Sequence, residues 1–259
     1  IGIKTTCDAI VEEEGDVVIA SPQMPGMIRL LPGNEVIMEN DHRDTLCHFK
    51  AGSAHYRFPT RSYDDFPLVE EMDRVNVCKL RCSDFIETTR LVSYAAAAEK
   101  NNPVFNGIYF EIKGSAMAAT NTHRLATKDM SLTMPATSEG RMIVPSGILS
   151  DVCKLLSVEE DAEVEVSWAK SHAAFTFGNT YFITNLISGQ YPDYHRVIPS
   201  RFDVEAVFNL KELSDAIRMV SPISRDVSYN TVNFNFDDNQ VEIYEGNADV
   251  IYVPIEPMN

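Results

Sequence analysis

The sequence predicts an α+β protein made of tandem copies of one unit, in which two helices pack on antiparallel sheet. Two observations predict it. Segments with helical spacing of apolar residues alternate with runs of short strands in which apolar and polar residues alternate. In addition, several segments recur at nearly one offset along the chain.

The repeat is visible in four pairs of segments. The Asn and Phe of residues 106–110 recur in residues 230–234, an offset of 124. Glu14-Gly15 recurs as Glu139-Gly140, and Pro67 as Pro192, both at an offset of 125. Leu80 and Leu210 begin similar helical segments, about 130 residues apart. One shared offset indicates a repeated unit of about 125 residues.

The phase of the repeat predicts the domain organisation. Residues 1–72 form the second half of one unit, residues 73–200 a whole unit, and residues 201–259 part of another, with a possible C-terminal tail at 250–259. A parent protein would hold at least three units, so we expect segments of the first and third units to be absent from this chain.

Within the whole unit, the pattern predicts a helix that starts at Ser83 or Asp84 and runs to about Asn101. A hairpin follows around residues 113–115, and a second helix starts at Pro145-Ser146. Three strands complete the unit, in segments 162–169, 172–178 and 180–187.

Composition excludes several classes of protein. The net charge of -16 argues against a simple basic-patch DNA binder. No apolar run is long enough to span a bilayer and no signal peptide opens the chain, so we expect a cytoplasmic protein with no membrane contact. The five cysteines are scattered and odd in number, which indicates reduced thiols, and no His or Cys spacing predicts a metal. No glycine-rich phosphate loop occurs, so we expect no cofactor.

Three segments carry a family resemblance. The segment AATNTHRLA, residues 118–126, resembles the Ala-Thr-Asp-Gly-His-Arg-Leu-Ala segment of the bacterial DNA polymerase III β sliding clamp family. Residues 187–199, ISGQYPDYHRVIP, and residues 103–111, PVFNGIYFE, resemble two further segments of that family in the same order. Together with the repeat, the resemblance extends from Ile1 to about Asp249.

The resemblance implies a function as well as a fold. The fold would be tandem DNA-clamp domains, and two subunits would join head to tail as a homodimeric ring around duplex DNA, with no enzymatic activity. Implied partners are the DNA polymerase III catalytic subunit, the clamp loader and other proteins with a clamp-binding motif. Topological enclosure does not require a strongly attractive surface, which answers the objection from net charge; we expect a surface that is acidic outside and mildly basic inside.

The family's partner pocket lies between its second and third domains and takes a short peptide with apolar anchors. Carried over by motif, its residues would be Phe105, Thr120, His123, Arg124, Leu125, Pro192, Arg196 and Val197, with Tyr229, Pro257 and Met258 completing it. The apolar members would form the floor, and the Arg and His side chains would bind polar or acidic peptide groups.

Other functional surfaces are implied in the same way. Arg90, Lys100, Lys154 and Arg218 are the candidates for DNA contact, and Phe58 and Ile223 are the candidates for the dimer interface. One departure stands out in the pocket: Asn121-Thr122 replaces the family's Asp-Gly, which removes a glycine from the rim.

Two alternatives stay open from the residues themselves. The first is a nucleic-acid-processing hydrolase on an α+β scaffold, in which His123 and Asp129 do acid-base work. The second is a chain that binds peptides but does not form a ring.

Overall fold

The computed structural model describes residues 1–19, 22–41, 45–98, 102–156, 162–224, 232–244 and 250–255. The chain divides into two compact units, Ile1–Tyr194 and His195–Asn259. Within the described residues, no helix is long and apolar enough to cross a membrane. All five cysteines are free thiols.

The first unit begins with a small sheet. The first elements of the unit are β1 (Gly2–Thr5), β2 (Val18–Ile19), α1 (Met24–Ile28), β3 (Ile37–Asp41), β4 (Leu46–Ala51) and β5 (Ala54–Arg61). Strands β2 to β5 form one sheet in the order β2-β5-β4-β3. Alternation along β4 buries Cys47 and Phe49 against Phe58 of β5, which forms a small core.

The remainder of this unit contains two similar halves. The first half consists of β6 (Val77–Arg81), α2 (Cys82–Ser93), β7 (Gly107–Glu111), β8 (Ala116–Thr120), β9 (Leu125–Asp129) and β10 (Leu132–Met134). The second half consists of β11 (Arg141–Pro145), α3 (Ser146–Leu156), β12 (Glu163–Trp168), β13 (His172–Phe177) and β14 (Thr180–Asn185).

Each half gives its first strand to the sheet of the other half. Strand β6 pairs with β12, in a sheet ordered β1-β14-β13-β12-β6-β10, while β11 pairs with β7, in a sheet ordered β11-β7-β8-β9. Helices α2 and α3 pack on each other. The core between helices and sheets contains Phe85, Phe110, Phe175 and Phe182, all almost fully buried.

The described residues of the second unit form one α-helix, α4 (Leu210–Ser224), and a three-stranded sheet of β15 (Asn233–Phe236), β16 (Gln240–Tyr244) and β17 (Ile251–Pro254). Ala216 and Val220 of α4 pack on Val241, Ile243 and Val253 of the sheet.

The predicted α+β fold class, the hairpin around residues 113–115, the second helix and the last three strands are confirmed. The predicted extent of the first helix is wrong at its C-terminal end. Helix α2 ends at Ser93, because the backbone N–H of Ala97 donates to the carbonyl of Phe105 at 2.8 Å instead of continuing the helical ladder. It begins at Cys82, with Arg81 at the N-cap and no side-chain cap.

Candidate peptide-binding site

A four-residue turn between β8 and β9 carries the motif that marks the predicted pocket. Thr120 and Leu125 are directly paired across the two strands. The Thr120 hydroxyl donates to the carbonyl of Arg124 at 2.7 Å, and the backbone N–H of Thr122 donates back to that hydroxyl at 3.1 Å. The side chain of Thr120, the last residue of β8, therefore holds the turn in place.

Asn121 fixes the rest of the turn. Its side-chain oxygen accepts hydrogen bonds from the backbone N–H of His123 at 3.1 Å and of Arg124 at 3.0 Å, an arrangement typical of an Asx turn. Thr122 has a φ of +77°, in the left-handed region that glycine adopts freely. At this position, where the family segment has Gly, a β-branched residue thus adopts a left-handed backbone.

The side chains of His123 and Arg124 are exposed on this turn. The Arg124 guanidinium lies over the ring of Tyr94, with its central carbon 5.7 Å from the ring centroid. This distance is within the range of a cation–π interaction.

A cluster of tyrosines lies beneath the turn. Tyr109 and Tyr191 stack with centroids 4.7 Å apart and an interplanar angle of 7°, and Tyr194 meets Tyr109 edge-on at 6.1 Å. Leu125 packs against this cluster. The Tyr194 hydroxyl donates to Glu111 Oε2 at 2.9 Å, which ties the cluster to the end of β7.

Burial raises the pKa of the phenols of Tyr191 and Tyr194. Desolvation raises the pKa of Tyr191 to about 12, partly offset by the backbone of Thr120. Burial, followed by the neighbouring Glu111 carboxylate, raises the pKa of Tyr194 to about 12. Both side chains are therefore neutral near pH 7, and the floor they form has no charge.

A cavity of about 300 Å³ opens beside the tyrosine cluster. Phe105 and Tyr191 meet in its wall with ring centroids 6.3 Å apart. Its lining combines apolar and aromatic groups with a few polar ones: Asn102, Val104, Phe105, Gln190, Tyr191, Pro192 and Asp193. Such a mixture suits an apolar side chain that is oriented by a small number of hydrogen bonds.

The structure brings several of the predicted pocket residues together. Phe105 and Pro192 line the cavity, Leu125 packs on the tyrosine cluster, and Thr120, His123 and Arg124 belong to the adjoining turn. Arg196 and the exposed Val197 lie in the short 3₁₀ helix Tyr194–Val197. Tyr229, Pro257 and Met258 lie outside the described residues.

The candidates for DNA contact lie mainly on helices. Arg90 is exposed on α2, Lys154 on α3 and Arg218 on α4. Lys154 pairs with Asp151 at 2.8 Å and Arg218 with Asp215 at 3.6 Å, so two of the three cations have an acidic partner one turn away. Lys100 lies outside the described residues.

The candidates for the dimer interface are placed differently. Phe58 is only 3% exposed and packs in the small core of the first sheet, so its side chain supports β5 from inside. Ile223 belongs to α4, and its side chain lies outside the described part of the chain.

Sequence reasoning missed the tyrosines. Tyr191 lines the cavity and stacks on Tyr109, which Tyr194 meets edge-on, and the ring of Tyr94 lies against Arg124. Tyr109 stands two residues after Gly107 in one motif segment, and Tyr191 and Tyr194 flank Pro192-Asp193 in another. Aromatic residues inside two segments already assigned to one pocket were the signal that could have found them.

No set of three or more His, Cys, Asp or Glu side chains within the described ranges is arranged to hold a metal ion. What the arrangement offers is a neutral aromatic floor, a small cavity and an exposed guanidinium, which are features of a binding site for a peptide side chain.

The chain is similar in sequence to known proteins. Residues 79–193 match the family model for the central domain of the DNA polymerase III beta subunit. The beta sliding clamps of Staphylococcus epidermidis and Staphylococcus aureus are each 25% identical to the chain over 236 residues, covering 90% of it. The chain spans 62% of the length of these curated relatives.

Solved structures show the same fold. The DNA polymerase III beta subunit of Thermotoga maritima superposes with a TM-score of 0.86 at 20% identity, covering 98% of this chain and 70% of that one. The DNA polymerase sliding clamp of Bacillus subtilis gives a TM-score of 0.83 at 21% identity, with the same coverage. Taken together, the family model over residues 79–193, the relatives and the shared fold show that the chain is similar to DNA polymerase III beta subunits, the β sliding clamps.

Proposed function

We propose that the protein is a processivity factor for DNA replication, a clamp that encircles duplex DNA and binds short peptides of polymerase, clamp loader and repair proteins. The observation that carries the peptide-binding part is the cavity of Phe105, Tyr191 and Pro192 beside the Arg124 turn. The match of residues 79–193 to the family model and the similarity to beta sliding clamps support the DNA-related part. This function is binding and not catalysis, and it places the protein in the cytoplasm.

The domain organisation is proposed on the same basis. The family model matches residues 79–193, within the whole domain assigned to residues 73–200. The segment 1–72 and the segment 201–259 would then be parts of the preceding and following domains. The small separate cores of Cys47, Phe49 and Phe58, and of Ala216 and Val220, support this division.

Strand pairing supports ring assembly. Strand β1 of the N-terminal segment joins the edge of the whole domain's sheet by pairing with β14, from Gly2 opposite Ile183 to Thr5 opposite Thr180. One sheet thus continues across a proposed domain boundary. We propose that the intact homodimer closes its ring by the same kind of edge-to-edge pairing, in which Phe58 would support β5 from inside.

A peptide titration tests the pocket. A fluorescein-labelled clamp-binding peptide should bind the chain with a micromolar dissociation constant, measured by fluorescence anisotropy. Leu125→Ala and Arg196→Ala should each weaken binding by about 10-fold or more, because they remove an apolar floor residue and a charged group. Leu68→Ala, which truncates an exposed leucine, is the matched control and should bind as the wild type does. Absence of saturable binding by the wild type would contradict the pocket.

The hydrolase alternative has less support. His123 lies two residues before β9 and Asp129 ends it, and the strand alone extends roughly 13 Å at about 3.3 Å per residue. That is too far for a general acid and base to share a substrate proton directly. Nucleic-acid cleavage by the purified chain that disappears in His123→Ala would nevertheless favour hydrolysis over clamping.

Light scattering distinguishes a ring from a peptide-binding module. A stable dimer of the 29.0 kDa chain over a range of concentrations supports ring-type assembly. A monomer at every concentration, with peptide binding intact, would leave a peptide-binding module as the function of this chain.

A further inference from the structure

Tyr94 connects the end of helix α2 to the turn that carries Arg124. It is the C-cap residue of α2, and its side chain is 59% exposed. The guanidinium of Arg124 lies 5.7 Å from the centroid of its ring. The two residues come from separate elements, so this contact depends on the tertiary fold.

Hydrogen bonds hold the backbone of Arg124, whereas no ion pair among the described residues holds its guanidinium. The side chains of Asn121 and Thr120 hold its backbone N–H and carbonyl. Among the described residues, Arg124 forms no ion pair that would orient the guanidinium. The ring of Tyr94 is therefore the group that restricts where this charge lies, and the outward edge of the guanidinium keeps its donors for a ligand.

The same segment also anchors the wall of the cavity. The backbone N–H of Ala97 donates to the carbonyl of Phe105 at 2.8 Å, and the side-chain amide of Asn106 donates to the carbonyl of Ala97 at 2.9 Å. Residues 94–97 thus hold an aromatic wall residue through hydrogen bonds and a cationic rim residue through a ring face. Both reach the pocket from one short stretch of chain.

We propose that Tyr94 is a positioning residue that holds Arg124 ready for a carboxylate, and so makes the pocket prefer peptides with an acidic residue next to their apolar anchors. This inference rests on the proposed peptide-binding function. An arginine already held in place loses less side-chain freedom when it binds a carboxylate than a freely moving one, and this gain applies only to acidic ligands.

Two peptides and three variants test the proposal. The peptides share their apolar anchors, and one has Asp where the other has Asn. Tyr94→Leu removes the ring, Tyr94→Phe keeps a ring face, and Tyr63→Leu removes a similarly exposed tyrosine elsewhere. Dissociation constants are measured for both peptides by fluorescence anisotropy.

We expect Tyr94→Leu to weaken binding of the Asp peptide by about 2- to 5-fold, as an exposed cation–π contact predicts, and to leave the Asn peptide unchanged. Tyr94→Phe should restore most of the preference, and Tyr63→Leu should have no effect. Equal losses for both peptides, or no loss for either, would overturn the proposal. If the wild type binds neither peptide, the proposed function fails, and this inference fails with it.

A spectroscopic measurement checks the contact without any ligand. The δ-methylene protons of Arg124 should show an upfield ring-current shift in NMR spectra of the wild type and of Tyr94→Phe, and should lose it in Tyr94→Leu. An unchanged shift in Tyr94→Leu would show that the ring does not hold the side chain, whatever the peptides do.

Discussion

Thr122 holds a backbone conformation that a β-branched residue rarely adopts. Its φ of +77° lies at the tip of the β8–β9 turn, where the hydrogen bonds of Thr120 and Asn121 keep the chain in place. A left-handed non-glycine residue costs about 1–3 kcal/mol. The turn therefore stores strain next to the residues that would bind a partner.

Substitution of Thr122 by glycine should release that strain. We expect Thr122→Gly to raise the free energy of unfolding by about 1 kcal/mol, since glycine adopts this φ freely but loses more entropy on folding. Thr122→Ala keeps a Cβ and should change stability much less. Urea denaturation of the three proteins measures the difference, and a less stable glycine variant would contradict it.

Gly107 tests close packing at the start of β7. A Cβ added there would lie 2.4 Å from Ile143 Cγ2 and 3.0 Å from the carbonyl oxygen of Val144. We expect Gly107→Ala to destabilise the protein by about 1–3 kcal/mol. Gly147→Ala, where a Cβ meets nothing within 4 Å, is the control and should be neutral or stabilising in thermal unfolding. Equal melting temperatures for the two variants would show that β7 and β11 can separate at low cost.

At the scale of single elements, the helices that the family resemblance assigns to DNA have little positive charge. Helix α2 contains Asp84 and Glu87 against Arg90, and Lys154 of α3 and Arg218 of α4 are each paired within their own helix. The expectation of a mildly basic inner surface is not supported by the charges of α2. In the ring proposed above, affinity for DNA should then depend weakly on salt, because enclosure would retain the DNA.

Removal of the acidic partners of these cations should make the affinity for DNA depend more strongly on salt. Asp151→Asn and Asp215→Asn remove the partners of Lys154 and Arg218. We expect the double variant to bind duplex DNA more tightly at low salt, with a slope of log affinity against log salt steeper by about 1–2. Asp8→Asn is the control for net charge alone. If it has the same effect as the helix variants, the helices have no special role.

The elements also show what a sequence pattern can and cannot predict. Helix α3 and strands β12 to β14 follow from periodicity, because each has one face in the core of Phe85 and Phe175. The alanine run after Ser93 has high helix propensity, yet it leaves the helix to bond with Phe105 and Asn106. That outcome depends on a tertiary partner, so propensity alone gave the wrong end.

At the candidate site too, sequence patterns predict some residues and miss others. Residues 120 to 125 could be assigned because they form one continuous motif. The stack of Tyr109 on Tyr191, and the position of Tyr94 under Arg124, join residues that are distant in sequence. Such contacts depend on strand register and on where a helix ends, and neither is visible in periodicity.

At the scale of the whole molecule, the buried phenols predict that the folded protein loses stability at alkaline pH. Burial holds the pKa of Tyr191 and Tyr194 at about 12 in the folded state, above the ordinary value of 10. The folded protein thus binds these protons more tightly than the unfolded chain. Their contribution to stability is complete below pH 10 and is lost as the pH rises towards 12.

We therefore expect the free energy of unfolding to fall by about 1–2 kcal/mol per tyrosine between pH 10 and 12. Tyr191→Phe should flatten that fall, because it removes one of the two buried phenols. Urea titrations at stepped pH measure both effects, with Tyr63→Phe as the exposed control. An equally steep fall in Tyr191→Phe would assign the alkaline transition to other groups.

The exchange of first strands between the two halves of the central domain has a mechanical consequence. Strand β6 is hydrogen-bonded to β12 and strand β11 to β7. Two separate hydrogen-bond ladders therefore hold the two halves together. A protease cut in the connection between Met134 and Arg141 would break the covalent link between the halves and leave both strand pairs intact. The nicked fragments should elute together in native chromatography and come apart only in denaturant.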